Sequence, residues 1–325
     1  MVRTDHAVRS ITVKPYMPFE EFKTKHTSAA FNASHFTDIA HEDCDVYGEE
    51  DGKRFLLVKF RKGVFGPDLL QLSRDCFEKA AMRARSYRKG AVASGIVDLA
   101  DKKLQNTHTL LAGYWDRRDV STTLLLKKNG MTKSAFGSEG FPWTVCRLTT
   151  FTRDKPELWA EGQPWLQAIA AAHKSLAPKE YALQLKAAKR VMPEFRIKDT
   201  AFTTVTVNHN WQTRTHTDSG DFEDGLGNLS VSGNENWTGG YLGFPRFRVA
   251  LNMRPGDFCV MRVHEFHCNT PIKKTAPDGT RLSFVLYLRE NMPLCKRTIK
   301  VDMEKEDREP VVLGLIRGGC GCQHA

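Results

Sequence analysis

From residue 201 to residue 288 the chain is a succession of short runs rich in β-branched and aromatic residues, at 201–207, 229–231, 247–251, 258–263 and 282–288. Turn-forming Gly239-Gly240 and Arg254-Pro255-Gly256-Asp257 keep the pieces short. Strands of this length, with no helical pattern between them, exclude a parallel α/β sheet and point to a β-sandwich or jelly-roll barrel.

The region before residue 200 reads differently. Phe55-Leu56-Leu57-Val58-Lys59-Phe60 predicts a strand, and Gly66-Pro67-Asp68 opens a helix with proline in its first turn. Leu69, Leu70, Cys76, Phe77, Ala80 and Ala84 fall on one face of that helix. Lys79, Arg83, Arg85, Arg88 and Lys89 precede Gly90 and read as a solvated face that also suits the helix C-terminus. Residues 122–126 and 144–149 predict strands, and 165–176 and 179–191 predict helices closed by Pro178 and Pro193. The expected fold is therefore α+β, with mainly N-terminal helices flanking a jelly-roll core.

No Pro/Gly/Ser-rich linker divides the 325 residues, so a single domain is expected over 1–310, with its β core at about 200–290 and a flexible glycine-rich tail at 311–325. Cys320, Cys322 and His324 in that tail are too few to close a structural zinc site. The eight cysteines show no paired zinc-ribbon spacing and are expected as free thiols. The N-terminus lacks the apolar segment of a signal peptide, and no apolar run reaches membrane-spanning length. An intracellular protein without a membrane partner is expected, nuclear if eukaryotic. With 48 Lys and Arg against 38 Asp and Glu, the formal charge is +10, which favours a polyanionic partner.

Three residue types in one spacing carry chemistry. In an extended segment, residues two apart point the same way, so His216-Thr217-Asp218 offers an imidazole and a carboxylate on one face. A second histidine from a later strand completes a facial triad, a ligand set that suits iron(II) and leaves adjacent positions open. His267 and His264 compete for that role, because on a regular strand they would face opposite sides. Arg281 opens an apolar strand, Leu282-Ser283-Phe284-Val285-Leu286-Tyr287. An inward arginine there needs an anionic partner, which a dicarboxylate co-substrate supplies, with Ser283 on the same face. Asp221 reads equally as a turn residue beside Gly220 and as a group facing base or co-substrate. Arg214 faces either co-substrate or solvent, and His209 reads as a strand-end or core histidine.

Taken together, His216-Thr217-Asp218-Ser219-Gly220-Asp221-Phe222, Gly239-Gly240-Tyr241-Leu242-Gly243-Phe244-Pro245, Pro255-Gly256-Asp257, His267-Cys268-Asn269-Thr270-Pro271 and the strand from Arg281 resemble the TET/JBP family of iron-dependent dioxygenases, nearer its JBP and algal branches. The resemblance covers roughly the last 120 residues. It implies a double-stranded β-helix, selects His267 over His264, and implies His216, Asp218 and His267 as Fe(II) ligands. It further implies 2-oxoglutarate held by Arg281 and Ser283, with ascorbate as the alternative co-substrate of the algal branch. The activity implied is oxidation of the methyl group of 5-methylcytosine or thymine in DNA, coupled to 2-oxoglutarate decarboxylation on a flipped-out base. Two other readings stand beside it: a same-fold oxygenase hydroxylating a protein side chain or small molecule, and a non-catalytic nucleic-acid-binding barrel.

Overall fold

The structure, a computed structural model, describes residues 8–84, 109–116, 144–218 and 220–298. The expected strand at 122–126, the cations Arg85, Arg88 and Lys89, and the tail with Cys320, Cys322 and His324 lie outside the described residues.

In chain order the strands are β1 (Arg9–Val13), β2 (Asp38–Ala40), β3 (Cys44–Glu50), β4 (Lys53–Arg61), β5 (Thr109–Trp115), β6 (Thr144–Leu148), β7 (Thr204–His209), β8 (Gly227–Gly233), β9 (Trp237–Gly239), β10 (Leu242–Phe244), β11 (Val249–Leu251), β12 (Phe258–Met261), β13 (Cys268–Asn269), β14 (Ile272–Lys274), β15 (Arg281–Tyr287) and β16 (Cys295–Thr298). The helices are α1 (Phe19–His26), α2 (Pro67–Arg83), α3 (Thr150–Asp154), α4 (Pro156–Glu161), α5 (Gln163–Leu176) and α6 (Pro178–Ala188). Proline stands in the first turn of α2, α4, α5 and α6, where its missing N–H is no loss.

Ten strands form one sheet in the order β1-β3-β4-β12-β8-β15-β7-β5-β6-β16, and β13-β10-β11-β2 form a second. A pair, β14-β9, stands beside them. Short strands in two facing sheets with antiparallel neighbours make the expected double-stranded β-helix. The N-terminal region contributes more to it than the sequence pattern indicated. Strands β1, β3, β4 and β5 enter the large sheet, and β2 extends the small one by pairing parallel to β11.

Strand alternation sorts the two faces of the large sheet. Val205, Val207, Leu282, Phe284 and Leu286 pack against α2 and α5 through Phe77, Trp165, Leu166 and Ile169. Leu229, Val231, Cys259 and Met261 turn the other way, toward Leu242, Phe244, Val249 and Leu251 of the small sheet. Because residues two apart share a face, Arg281 and Ser283 project with Val285 into the space between the sheets. Register fixes this placement, with Arg281 opposite Gly233 and Ser283 opposite Val231 on β8.

Several boundaries differ from the sequence reading. The strand expected over 247–251 begins at Val249, because Phe247 closes a 3-10 turn and Arg248 adopts a left-handed conformation at φ 54°. Strand β7 begins at Thr204, after Thr200 caps its own turn through Ile197 and Phe202. The expectation that all cysteines are free is corrected as well. Cys44, Cys76, Cys259 and Cys268 are free and buried, but Cys146 is disulfide-bonded.

His173 on α5 is fully buried against Tyr181 and Phe202, and burial pushes its pKa down from 6.5 to about 3. The unfolded chain binds a proton there below about pH 6.5 while the folded chain refuses it until about pH 3, so this residue makes stability fall as pH drops through that window. Urea unfolding of the protein and of His173→Leu between pH 7 and pH 4 is expected to show a shallower loss of stability for the variant.

Candidate functional site

Two segments far apart in sequence meet at one antiparallel bridge. The backbone N–H of His216 donates to the carbonyl of His267 at 3.1 Å, and the N–H of His267 donates back at 3.0 Å. Two residues further on, the Asp218 N–H donates to the Val263 carbonyl at 3.0 Å. The side chains of His216, Asp218 and His267 converge as a result, with one potential ligand atom from each within 4.8 Å of the others.

Both imidazoles are set by the same local device. Nδ1 of His216 lies 2.7 Å from the Arg214 carbonyl, and Nδ1 of His267 lies 2.9 Å from the Glu265 carbonyl. A carbonyl only accepts, so each Nδ1 carries the proton and each Nε2 keeps a lone pair. Those Nε2 atoms face the Asp218 carboxylate at 3.5 and 3.7 Å. Burial and the neighbouring His216 push the His267 pKa down to about 4, against the pull of Asp218, so this ring is neutral at physiological pH, as ligation requires. The side chain of Asp218 is 23% exposed and that of His267 6%, so the constellation opens to solvent on the carboxylate side.

His264 does not join them. Residues 263–265 form a turn, so the strand alternation expected for this stretch does not hold. Among the described residues, the ring of His264 approaches Glu223 instead, at 3.7 Å.

Arg281 is fully buried, and none of its three side-chain nitrogens has a hydrogen-bond partner among the described residues. Burial, and then the charge of Arg254, lower its pKa to about 10, so the guanidinium remains a cation at neutral pH. Its surroundings form a cradle. Trp237 presents its ring 5.5 Å from the guanidinium carbon, and Asn210 accepts the Arg281 backbone N–H at 2.7 Å. Gly240, at φ +65°, approaches so closely that a Cβ there would meet Arg281 Nε at 3.1 Å. Gly240 also ties the cradle to the histidines, since its carbonyl accepts from Asn269 Nδ2 at 3.5 Å, two residues beyond His267. Ser283, nearly buried, shares the strand face.

Asp221 pairs in backbone with Arg289 rather than forming an open turn. Burial and then the charge of Asp218 raise its pKa well above the carboxylate range, with Arg289 opposing. Arg289 also bonds to Asp116. Arg214 is half-buried and contributes its carbonyl to His216, and His209 is buried at the end of β7. Asn210, Trp237, Gly240 and Arg254 were not singled out from sequence for the site, because only the tertiary approach of β9 and its flanks to β15 gives them a role.

The residues fit the groups the triad calls for: two imidazoles and a carboxylate for a divalent metal, and a buried cation with no partner among the described residues for a carboxylate. Fold and site together give a double-stranded β-helix that carries a constellation of two histidines and one carboxylate. Residues 137–290 match the Tet_JBP family, described as the oxygenase domain of the 2OGFeDO superfamily. That superfamily implies Fe(II) and 2-oxoglutarate.

Among relatives, thymine dioxygenase JBP1-A of Trypanosoma cruzi (strain CL Brener) is 34% identical over 154 residues, covering 46% of this chain and 18% of the relative. The bifunctional helicase and thymine dioxygenase JBP2 of Leishmania infantum is 34% identical over 171 residues, 53% of this chain and 15% of the relative. Thymine dioxygenase JBP1 of Crithidia fasciculata is 27% identical over 299 residues, 88% of this chain and 32% of the relative. The chain thus spans less than a third of the length of each of these relatives. Among solved structures, NgTET1 in complex with 5mC DNA shares the fold, with a TM-score of 0.52 at 13% identity over 93% of this chain and 100% of that one.

Calorimetric titration with Co(II) under anaerobic conditions is expected to show one tight site in the protein and its loss in His216→Ala and Asp218→Ala. Both variants are expected to keep the far-UV circular dichroism of the parent.

Proposed function

We propose that this protein is an Fe(II)- and 2-oxoglutarate-dependent dioxygenase that oxidises the methyl group of a 5-methylpyrimidine, 5-methylcytosine or thymine, in DNA. His216, Asp218 and His267 hold the metal, and Arg281 with Ser283 holds the distal carboxylate of the co-substrate. The observation that carries the reading is the buried Arg281 guanidinium without a partner, on a strand face that opens between the two sheets. A buried cation with no counter-charge costs several kcal/mol, roughly, unless an anion completes it. A dicarboxylate does so through two parallel hydrogen bonds. Ascorbate, an enediol lactone, carries no carboxylate, so this cradle favours 2-oxoglutarate.

Bound iron with its co-substrate supplies the oxidant that attacks an otherwise inert C–H bond. The chain's own residues do the rest. The carbonyls of Arg214 and Glu265 hold both rings with Nε2 inward, the apolar walls limit water, and Arg281 fixes how far the keto-acid end reaches toward the triad. The substrate class is supported by the similarity to thymine dioxygenases and by the basic balance of the chain. A methyl group inside a duplex cannot reach a site between two sheets, so the base must leave the stack. Asp221, beside Asp218 at the edge of the constellation, is the group we assign to meeting that base.

After anaerobic loading with Fe(II), incubation with oxygen and DNA with or without 5-methylcytosine, supplying 2-oxoglutarate and ascorbate separately, is followed by mass spectrometry of the nucleosides. An oxidised pyrimidine appearing with 2-oxoglutarate is the expected result. Iron binding and 2-oxoglutarate turnover with unaltered nucleosides would move the substrate to a protein side chain or small molecule. Arg281→Lys, which keeps the charge but loses the bidentate fork, is expected to raise the KM for 2-oxoglutarate by about ten- to a hundredfold. Gly240→Ala, whose methyl presses on the guanidinium, is expected to raise the same constant while leaving Co(II) affinity unchanged.

A further inference from the structure

A second buried charge cluster reaches His267 through one peptide unit. Arg246, in the 3-10 turn after β10, is 1% exposed. It donates from Nε to Glu265 Oε1 at 2.9 Å and from Nη2 to Glu265 Oε2 at 2.7 Å, a bidentate pair with a carboxylate that is itself 4% exposed. Nη1 and Nη2 also donate to Glu50 at 2.6 and 2.8 Å, and Nη1 reaches the Met17 carbonyl at 3.3 Å. Phe247 and Phe19 flank the guanidinium at 4.7 and 5.5 Å.

Glu265 passes this constraint on. Its Oε1 accepts the backbone N–H of Phe266 at 2.9 Å, while its own backbone carbonyl accepts from His267 Nδ1 at 2.9 Å. That N–H and that carbonyl belong to the same peptide unit. The carboxylate position therefore sets the plane of the 265–266 peptide, and the plane sets the direction in which the carbonyl holds the imidazole. Residue 266 anchors the same turn on its other side, with Phe266 packed against Phe19 and Phe22 of α1 at 4.8 and 5.1 Å.

We infer that Arg246 is a positioning residue of the metal site, acting through Glu265 and the 265–266 peptide to orient His267. The inference rests on the metal-binding reading above. Nothing in this chain of contacts touches metal or substrate directly. Without Arg246, the Glu265 carboxylate would be a nearly buried charge lacking its partner. It would turn toward solvent or another donor, releasing the Phe266 N–H and the peptide plane with it. Partners at this remove from a metal typically change affinity by about 10- to 100-fold when lost.

The test is Co(II) binding to the full chain, read by affinity and by the visible ligand-field spectrum, alongside the thermal transition of the metal-free protein. Arg246→Lys keeps the charge but not the fork, and is expected to weaken Co(II) binding by about tenfold or more and to alter the spectrum. Glu50→Gln removes the outer carboxylate while leaving the Arg246–Glu265 pair, and is expected to lower the transition temperature with Co(II) affinity within about threefold of the parent. Should Arg246→Lys fail to fold, Glu265→Gln carries the same test, since it keeps the side-chain shape and one acceptor but loses the ion pair. A folded Arg246→Lys or Glu265→Gln with parental affinity and spectrum overturns the inference. Absence of Co(II) binding in the parent protein would instead overturn the metal site itself.

Discussion

The reciprocal backbone hydrogen bonds between His216 and His267 are the constraint on which the site depends. They join a segment that leaves β7 to one that leads into β13, and neither segment has regular strand neighbours to hold it elsewhere. The pairing is short but reinforced on both sides, by Asn269 donating to the Thr213 carbonyl at 3.0 Å and by Asp218 donating to Val263. Backbone bonds of this kind are insensitive to side-chain identity, so they fix where the ligands stand without using the ligands' own polar atoms. The local bond from each Nδ1 to a carbonyl two residues earlier then settles the tautomer that leaves Nε2 facing inward.

Strand β15 shows how stability and chemistry are divided along one element. Its even positions, Leu282, Phe284 and Leu286, fill the interface with α2 and α5, where Phe284 lies edge-on to both Phe77 and Trp165. Its odd positions, Arg281 and Ser283, face the space between the sheets. The apolar side fixes the register, and a slip of one residue would bury the arginine under the helices and turn phenylalanine into the site. The hydrophobic interface is thus what holds an unpartnered cation in place. Hydrogen bonds from β15 to β8 and β7 on both flanks keep its backbone from moving toward solvent.

Much of this was legible in the sequence because it depends on local spacing. His216-x-Asp218 in an extended segment and Arg281-x-Ser283 in an apolar run announce their shared faces by the strand period alone. The choice between His264 and His267 was not legible from spacing. It turns on a three-residue turn at 263–265 and on a partner 51 positions away, and only family resemblance favoured His267. Trp237, Asn210 and Gly240 carry no signal of their own, since an aromatic, an amide and a turn glycine are ordinary residues until β15 is brought against them. Apart from β4, whose apolar run at 55–60 announces a strand, the contribution of β1, β2, β3 and β5 was equally hidden, because pairings such as β2 with β11 join residues some two hundred positions apart. The disulfide at Cys146 ran against an expectation drawn from compartment and spacing, neither of which reports which thiols the fold brings together.

A triad and an arginine define a class of chemistry without defining its target, since the same ligands serve any C–H bond presented to them. What distinguishes this protein must lie in the segments that border the opening on the Asp218 side. There the 220–222 segment pairs with 288–290, Phe222 donating to Leu288 and Glu290 to Gly220, so Asp221 is held beside the metal constellation by the same strand end that continues from the co-substrate arginine. Arg289, bonded to Asp116 and opposed to Asp221, links that edge to the end of β5. Arg281 and the 288–290 segment that pairs beside Asp221 therefore stand at the two ends of one strand.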